Sequence, residues 1–254
     1  MKASSLEFRF RVLLHTVIFG LGFLSPWNRW LHLDPVGSNA HVWGLLAANL
    51  ATAGIGSISV AFDALLILGI FCALVAAVLR TWGAAYLGRP VVQDTKMHAE
   101  AAPGSSFAGI VQAGPFRHLR NPLYLGTIFH TLALALLMSR SGAIFTIVAI
   151  AFLQIRLILA EESFLHTKLG EAYASYYRLV PRLWPSIRAR IPGASVNPQW
   201  PQAFFTEIYM WAVAGSFAFA GWRYNASLLI QCVLIAFGVS LVLQAVIPAR
   251  QSGA

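Results

Sequence analysis

The chain alternates between long apolar runs and polar stretches, and the runs approach the length of a membrane crossing. A helix needs about 20 mostly apolar residues to cross the hydrocarbon of a bilayer. Six segments reach or approach this length: 11–26, 60–82, 122–138, 143–160, 204–220 and 227–247. The stretch from His41 to Ser57 is weaker, rich in Ala and Gly with Asn49 and Thr52 inside it. It reads as a seventh span, a re-entrant piece or the start of a long second helix. A different period governs "EESFLHTKLGEAYASYYRLVP", where Phe164, Leu165, Leu169, Tyr173, Tyr176 and Val180 recur at three or four residues. That spacing predicts an amphipathic helix lying along the cytoplasmic interface. The expectation is an all-α integral membrane protein with six transmembrane helices, or seven if 41–57 crosses, plus this interfacial helix.

The polar connections are unequal. "SRSG" at 139–142 is short enough to make the third and fourth spans an antiparallel hairpin. The stretches 83–121 and 161–203 are long and lie on one face, and long connections in a compact protein are usually functional or disordered. No internal repeat is visible. The organisation this suggests is 1–107 as N-terminal helices with a cytoplasmic loop, 108–185 as the core, and 186–254 as a loop and appended C-terminal hairpin.

Composition settles the solvent. The 254 residues are 58% hydrophobic and 11% charged, with a mean hydropathy of +0.68. Soluble domains carry about a quarter charged residues, so the bilayer covers much of this surface. The net charge of +9 would suit a nucleic acid if it formed a stripe on a soluble domain. Here the cations sit between apolar runs, so no nucleic-acid partner is expected. With six spans and a cytoplasmic N-terminus, thirteen Lys and Arg fall on one side and only Arg29, Arg140 and Arg223 on the other. This bias obeys the positive-inside rule and places both termini in the cytoplasm. The apolar N-terminal stretch has no small-x-small cleavage site and reads as an uncleaved first span. Cys72 and Cys232 read as buried hydrophobes, Asp63 as a cap or cavity-facing group, and Gly54 and Gly56 as sites of close helix packing. Trp27, Trp30 and Trp43 read as an outer aromatic belt, with Trp184 and Trp200 as an inner one. His118, His130 and His166 are too scattered for a metal centre, and none is expected.

Two polar clusters are candidates for chemistry. "GPFRHLRNPLYLG" (114–126) joins a Gly-Pro turn to Arg117 and Arg120, then opens the third span with Asn121-Pro122 and places Tyr124 one turn inside. Arginines there serve as topology anchors, but a helix N-terminus with free N–H groups also suits an anionic ligand group. The second cluster is Glu161-Glu162, where the fourth span leaves the membrane after Arg156. Paired carboxylates at a membrane boundary are costly unless hydrated or matched by a cation. The antiparallel hairpin brings Arg120–Tyr124 and Glu161–Glu162 to one face, as a pocket of both charges suited to a zwitterion.

These two motifs, with "GEAYASYYRLVPRLWP" following, resemble the isoprenylcysteine carboxyl methyltransferase-like family, related to the phospholipid N-methyltransferases. The resemblance covers about residues 108–185. It implies S-adenosylmethionine held at the cytoplasmic face between the hairpin and the loop before it. By position, Val111, Phe116, Asn121, Pro122, Leu123, Tyr124 and Glu161 contact that cofactor. An acidic side chain of the Glu161-Glu162 pair meets its ammonium, and Arg120 with the helix N-terminus meets its carboxylate. Asn121 stands where the family has His, keeping a donor and an acceptor but no titration. The family's substrate-positioning Arg falls at Leu157. Arg156 is the candidate for acceptor binding, although one residue turns a side chain about 100° around a helix. No side chain is assigned covalent or acid–base work, since positioning and exclusion of water suffice for methyl transfer. The acceptor implied is lipidic or small and apolar, with a carboxylate, amine or thiol, and arrives from the bilayer. A sterol-type NADPH-dependent reductase is the alternative enzyme class, disfavoured because Glu161-Glu162 stands where phosphates would need cations. A non-enzymatic transport or assembly protein is a third, expected to show midplane polar residues or repeated halves.

Overall fold

The computed structural model describes residues 2–24, 40–87 and 111–247. Trp27 and Trp30, the basic residues Arg29, Arg89, Lys96 and Arg250, and positions 108–110 of the core lie outside the described residues. Among the described residues no strand forms. The elements are α1 (Ser5–Arg9), α2 (Arg11–Leu24), α3 (Val42–Thr52), α4 (Ile58–Leu87), α5 (Pro122–Ala135), α6 (Arg140–Leu179), α7 (Trp200–Thr206), α8 (Ile208–Ala220) and α9 (Ala226–Val246), with 3-10 turns at Gly114–Arg117 and Gly221–Arg223.

Helices therefore form in all of the apolar segments, but not all at spanning length. α4, α6 and α9 are long and apolar enough to cross a membrane, and α7 with α8 makes a fourth if that pair, bent by 68°, is one span. α2 and α5 have 14 residues each and α3 has 11. A helix of 14 residues is about 21 Å long, short of the roughly 30 Å of hydrocarbon. In the third apolar run the helix stops at Ala135 and Leu136–Ser139 form the turn, because the last apolar carbonyls are claimed by another element. Leu136 O accepts from the Trp43 N–H at 2.9 Å, and Met138 O from the Val42 N–H at 2.8 Å.

Those bonds fix α3 as a separate short helix beside α4. Trp43 is buried, with its indole N–H donating to Phe62 O at 3.1 Å, so it belongs to the core rather than to an outer aromatic belt. Gly54 and Gly56 both have φ of +77° and turn the chain between α3 and α4. Their role is backbone conformation, not the close helix packing expected of them. Close packing by glycine occurs instead where α2 crosses α6: a Cβ on Gly142 would collide with the Gly22 carbonyl. α4 is the central element, with α3, α5, α7 and α8 packed around it.

The segment expected to form one amphipathic interfacial helix is instead the broken C-terminal part of α6. α6 runs unbroken from Arg140 past the two glutamates, then breaks at Gly170, whose φ of +53° and ψ of −130° suit only glycine. In a straight helix, residues 166 and 177 would be about 16 Å apart along the axis. The rings of His166 and Tyr177 have centroids 4.9 Å apart, so the chain folds back at Gly170. The returning segment buries Tyr173, Tyr176 and Val180 with Ile191, as the periodicity predicted, while Leu165 and Leu169 pack beside them. Burial pushes the Tyr173 and Tyr176 hydroxyls above the usual phenol range.

Two substitutions test these local constraints. No neighbour lies within 4 Å of a Cβ at Gly170, so Gly170→Ala should cost about 1–3 kcal/mol through the backbone alone, read as a lowered unfolding temperature in detergent. Gly142→Ala should destabilise by steric clash, whereas Gly20→Ala, with open space around its Cβ, should be neutral or slightly stabilising.

Candidate active site

The segment 112–120 is stitched to the chain that follows α6. Arg120 N–H donates to Pro181 O at 2.9 Å, Ser186 N–H to His118 O at 3.0 Å, Arg190 N–H to Arg117 O at 2.9 Å and Ala194 N–H to Gln112 O at 3.0 Å. The Tyr176 hydroxyl adds a bond to Phe116 O at 2.9 Å. This cap places Asn121 and Pro122 at the start of α5, directly opposite the point where α6 leaves the bundle.

The predicted residues then sort into three groups. Val111, Phe116 and Leu123 join Leu87 and Tyr86 in one apolar cluster, with Pro122 buried beside them. Tyr124 and Glu161 form a buried pair, the hydroxyl donating to Glu161 Oε2 at 2.8 Å. Around Glu162, Arg182 bonds both carboxylate oxygens at 2.8–3.2 Å, and the Asn121 amide reaches it at 3.4 Å. Arg120 Nε lies 3.1 Å from the same carboxylate without the alignment of a hydrogen bond. Its guanidinium also stacks 3.8 Å from the Tyr177 ring centroid and donates to Tyr177 O. The Glu162 carboxylate beside Arg182 holds that guanidinium pKa above its ordinary value.

Arg156 is not brought to this cluster. It makes a two-point ion pair with Glu7 at 2.8 and 3.1 Å, while its neighbour Leu157 is fully buried in one cluster with Tyr124. The turn of one residue around α6 separates them. Neither Glu161 nor Glu162 bridges to Arg156 in the described structure.

One asymmetry stands out among the five described glutamates. Glu7 is on Arg156, Glu162 on Arg120 and Arg182, Glu171 on Arg178, and Glu207 on Arg80. Glu161 is buried too, yet among the described residues its hydrogen bond is from a neutral phenol. A buried carboxylate without a cation is unfavourable.

Sequence reasoning missed Arg80 and Glu207. Arg80, inside the apolar α4, donates to Glu207 at 2.6 and 3.0 Å and to the Thr127 hydroxyl at 2.9 Å. Glu207 lies at the α7–α8 break, so this pair ties the C-terminal hairpin to the first turns of α5. An ionisable residue inside an apolar run was the available signal. Among the described residues four further side-chain polar atoms are buried without a hydrogen-bond partner, His130 Nδ1, Ser141 Oγ, Thr146 Oγ1 and Gln154 Oε1. The Gln154 amide N–H donates to His15 Nε2 at 3.0 Å, since His15 Nδ1 is turned to Arg11 O. Gln154 is seven residues before Glu161, on the same face of α6. Elsewhere, Asp63 accepts from the Tyr224 hydroxyl at 2.6 Å, far from this cluster along α4.

Comparison with known proteins agrees with the motif reading. No curated protein and no solved structure matches the chain. The phospholipid methyltransferase family model matches residues 64–172, which takes in α4, α5, both glutamates and the Gly170 break. Over that segment the chain is similar to the phospholipid methyltransferase family.

Proposed function

We propose that the chain is an S-adenosylmethionine-dependent membrane methyltransferase whose cofactor sits on the Tyr124–Glu161 pair, and whose acceptor is a lipidic or small apolar molecule reached from the bilayer. The observation that carries this is Glu161, a buried carboxylate matched by a phenol while the other described glutamates are matched by arginine. The cofactor carries an ammonium, a carboxylate and a sulfonium. Glu161 suits either cation. Two guanidiniums share Glu162, which leaves one formal positive charge for the cofactor's carboxylate. Arg182 is the more accessible of the two, its side chain 39% exposed against 7% for Arg120. Val111, Phe116 and Leu123 offer an apolar shelf beside this pair for a flat ring system.

When bound, the cofactor supplies a methyl group already on an electrophilic sulfur. The chain's own contribution is geometric. Tyr124 and Glu161 orient the ligand, and the buried cluster of Leu153, Leu157 and Ile158 excludes water from it. Gln154 Oε1 and His130 Nδ1 are polar positions inside the bundle that an acceptor's own polar group could use. A carboxylate, an amine and a thiol all remain chemically suited, and isoprenylcysteine-type specificity is one form of this reading. For topology, we propose six crossings with both ends at the cytoplasmic face. The support is the thirteen-to-three bias of cations.

Calorimetric titration of detergent-purified protein with S-adenosylhomocysteine should give micromolar binding, about −8 kcal/mol. Glu161→Gln should weaken it by roughly 10- to 100-fold, and Tyr124→Phe by several-fold, as expected for losing a bond to a charged group. Absence of heat with folded wild-type protein would remove the cofactor reading. In a second measurement, a radiolabelled methyl group from S-adenosylmethionine should enter the lipid-soluble fraction of host membranes. Label confined to the aqueous fraction would overturn the apolar acceptor.

A further inference from the structure

The N-terminal helix α1 has five residues, too few to hold itself together in isolation. It is fixed from outside at several points. Ser4 and Glu7 form a reciprocal capping box, the Ala3 N–H donates to Arg156 O at 3.1 Å, and Lys2 Nζ donates to the Ser163 hydroxyl at 2.5 Å. Glu7 then takes Arg156 through both carboxylate oxygens. The three contacts made by Lys2, Ala3 and Glu7 with α6 all fall between residues 156 and 163, the stretch that carries Glu161.

The result of this anchoring is the placement of Phe8. Leu6 and Phe10 on the same short helix are 64% and 46% exposed, whereas Phe8 is 2% exposed. Phe8 shares one buried cluster with Tyr124, Leu153, Leu157 and Ile158. Less than two turns of α6 therefore do three things: Arg156 pairs with Glu7, Leu157 and Ile158 share a buried cluster with Phe8, and Glu161 takes the Tyr124 hydroxyl.

We propose that Glu7 and Arg156 are positioning residues of the cofactor site: they hold α1 so that Phe8 backs Tyr124 and keeps its hydroxyl on Glu161. This rests on the reading of Tyr124–Glu161 as that site. Arg156 lies inside the family-matched segment 64–172, whereas Glu7 and Phe8 lie outside it. A partly exposed ion pair contributes little to stability by itself. Its effect here is to fix where a short helix rests. The Arg156 hydrogen bond, followed by that of the Ser4 backbone, lowers the Glu7 carboxyl to about 2. A group depressed in this way favours the folded arrangement above its ordinary pKa and loses that effect only as pH falls through about 2. The clamp is closed throughout the neutral range.

The test is surface plasmon resonance of the immobilised full-length protein with S-adenosylhomocysteine, separating association from dissociation. Glu7→Gln and Phe8→Ala should each speed dissociation by about tenfold; Glu7→Gln should leave association rate and unfolding temperature near wild type, whereas Phe8→Ala should also lower the unfolding temperature through the cavity it leaves. The charge swap Glu7→Arg with Arg156→Glu should recover most of the loss, which a merely destabilised fold would not. In a Tyr124→Phe background, Glu7→Gln should add less than about twofold, because the route through the hydroxyl is already cut. Wild-type dissociation rates in both single variants, or the same acceleration with and without the Tyr124 hydroxyl, would overturn the proposal while leaving the cofactor reading intact. If Glu7→Gln does not fold, Phe8→Ala and the charge swap decide. No binding by folded wild type removes the cofactor reading and this proposal with it.

Discussion

Two adjacent carboxylates, buried where α6 leaves the apolar bundle, impose the constraint around which the rest is arranged. Charge in a low-dielectric setting must be matched or neutralised, and the chain answers differently at each position. Glu162 receives two arginines from different elements, one before α5 and one after the fold-back at Gly170. That requirement explains why the chain reverses at all. Without the turn at Gly170, Arg182 and Tyr177 could not return to Glu162 and Arg120. The cap formed by 112–120 and 181–194 then follows from the same closure. Glu161 is left to the Tyr124 hydroxyl, and the contrast with its neighbour is the chemical content of the site.

Much of this was legible because it depends on short-range rules. An Asn-Pro at 121–122 starts a helix, a four-residue polar turn makes a hairpin, and a hairpin brings its two open ends together. The convergence of Tyr124 with Glu161 and of Asn121 with Glu162 follows from those steps alone. The apolar period of 164–180 likewise gave the buried face of Tyr173, Tyr176 and Val180. Hydropathy over-read length: a run of apolar residues at 122–138 does not show that its last carbonyls will bond to α3 instead of continuing a helix. Trp43 illustrates the same limit. Its sequence neighbours resemble a membrane interface, and only the distant Phe62 carbonyl makes it a core residue.

What was not legible depends on partners far apart in the chain. Arg156 was visible as a cation near the site, but its mate Glu7 is 149 residues away. Arg80 and Glu207 are separated by 127 residues; Arg80 stood out inside its apolar run, but nothing near it in sequence pointed to Glu207. These two pairs have a common logic. Each joins an element outside the family-matched segment 64–172, α1 in one case and the α7–α8 break in the other, to a helix inside it. Elements outside the matched segment are thus attached to helices inside it by buried or half-buried ion pairs as well as by apolar contact.

That arrangement bears on how specificity could differ within a family that shares its central helices. In the proposed reading the cofactor would be held by α5 and α6, which lie inside the matched segment. The apolar walls nearest Tyr124 come partly from α1 and α2, through Phe8, Leu14 and Ile18, and the polar group on Gln154 comes from His15 of α2. Changing the N-terminal helices would alter the surroundings of the reacting position while leaving Glu161 and its hydroxyl donor in place. The division is physical: the charged ligand is held by residues that must be matched to one another within the hairpin, and the apolar one by residues that need only fill space against it.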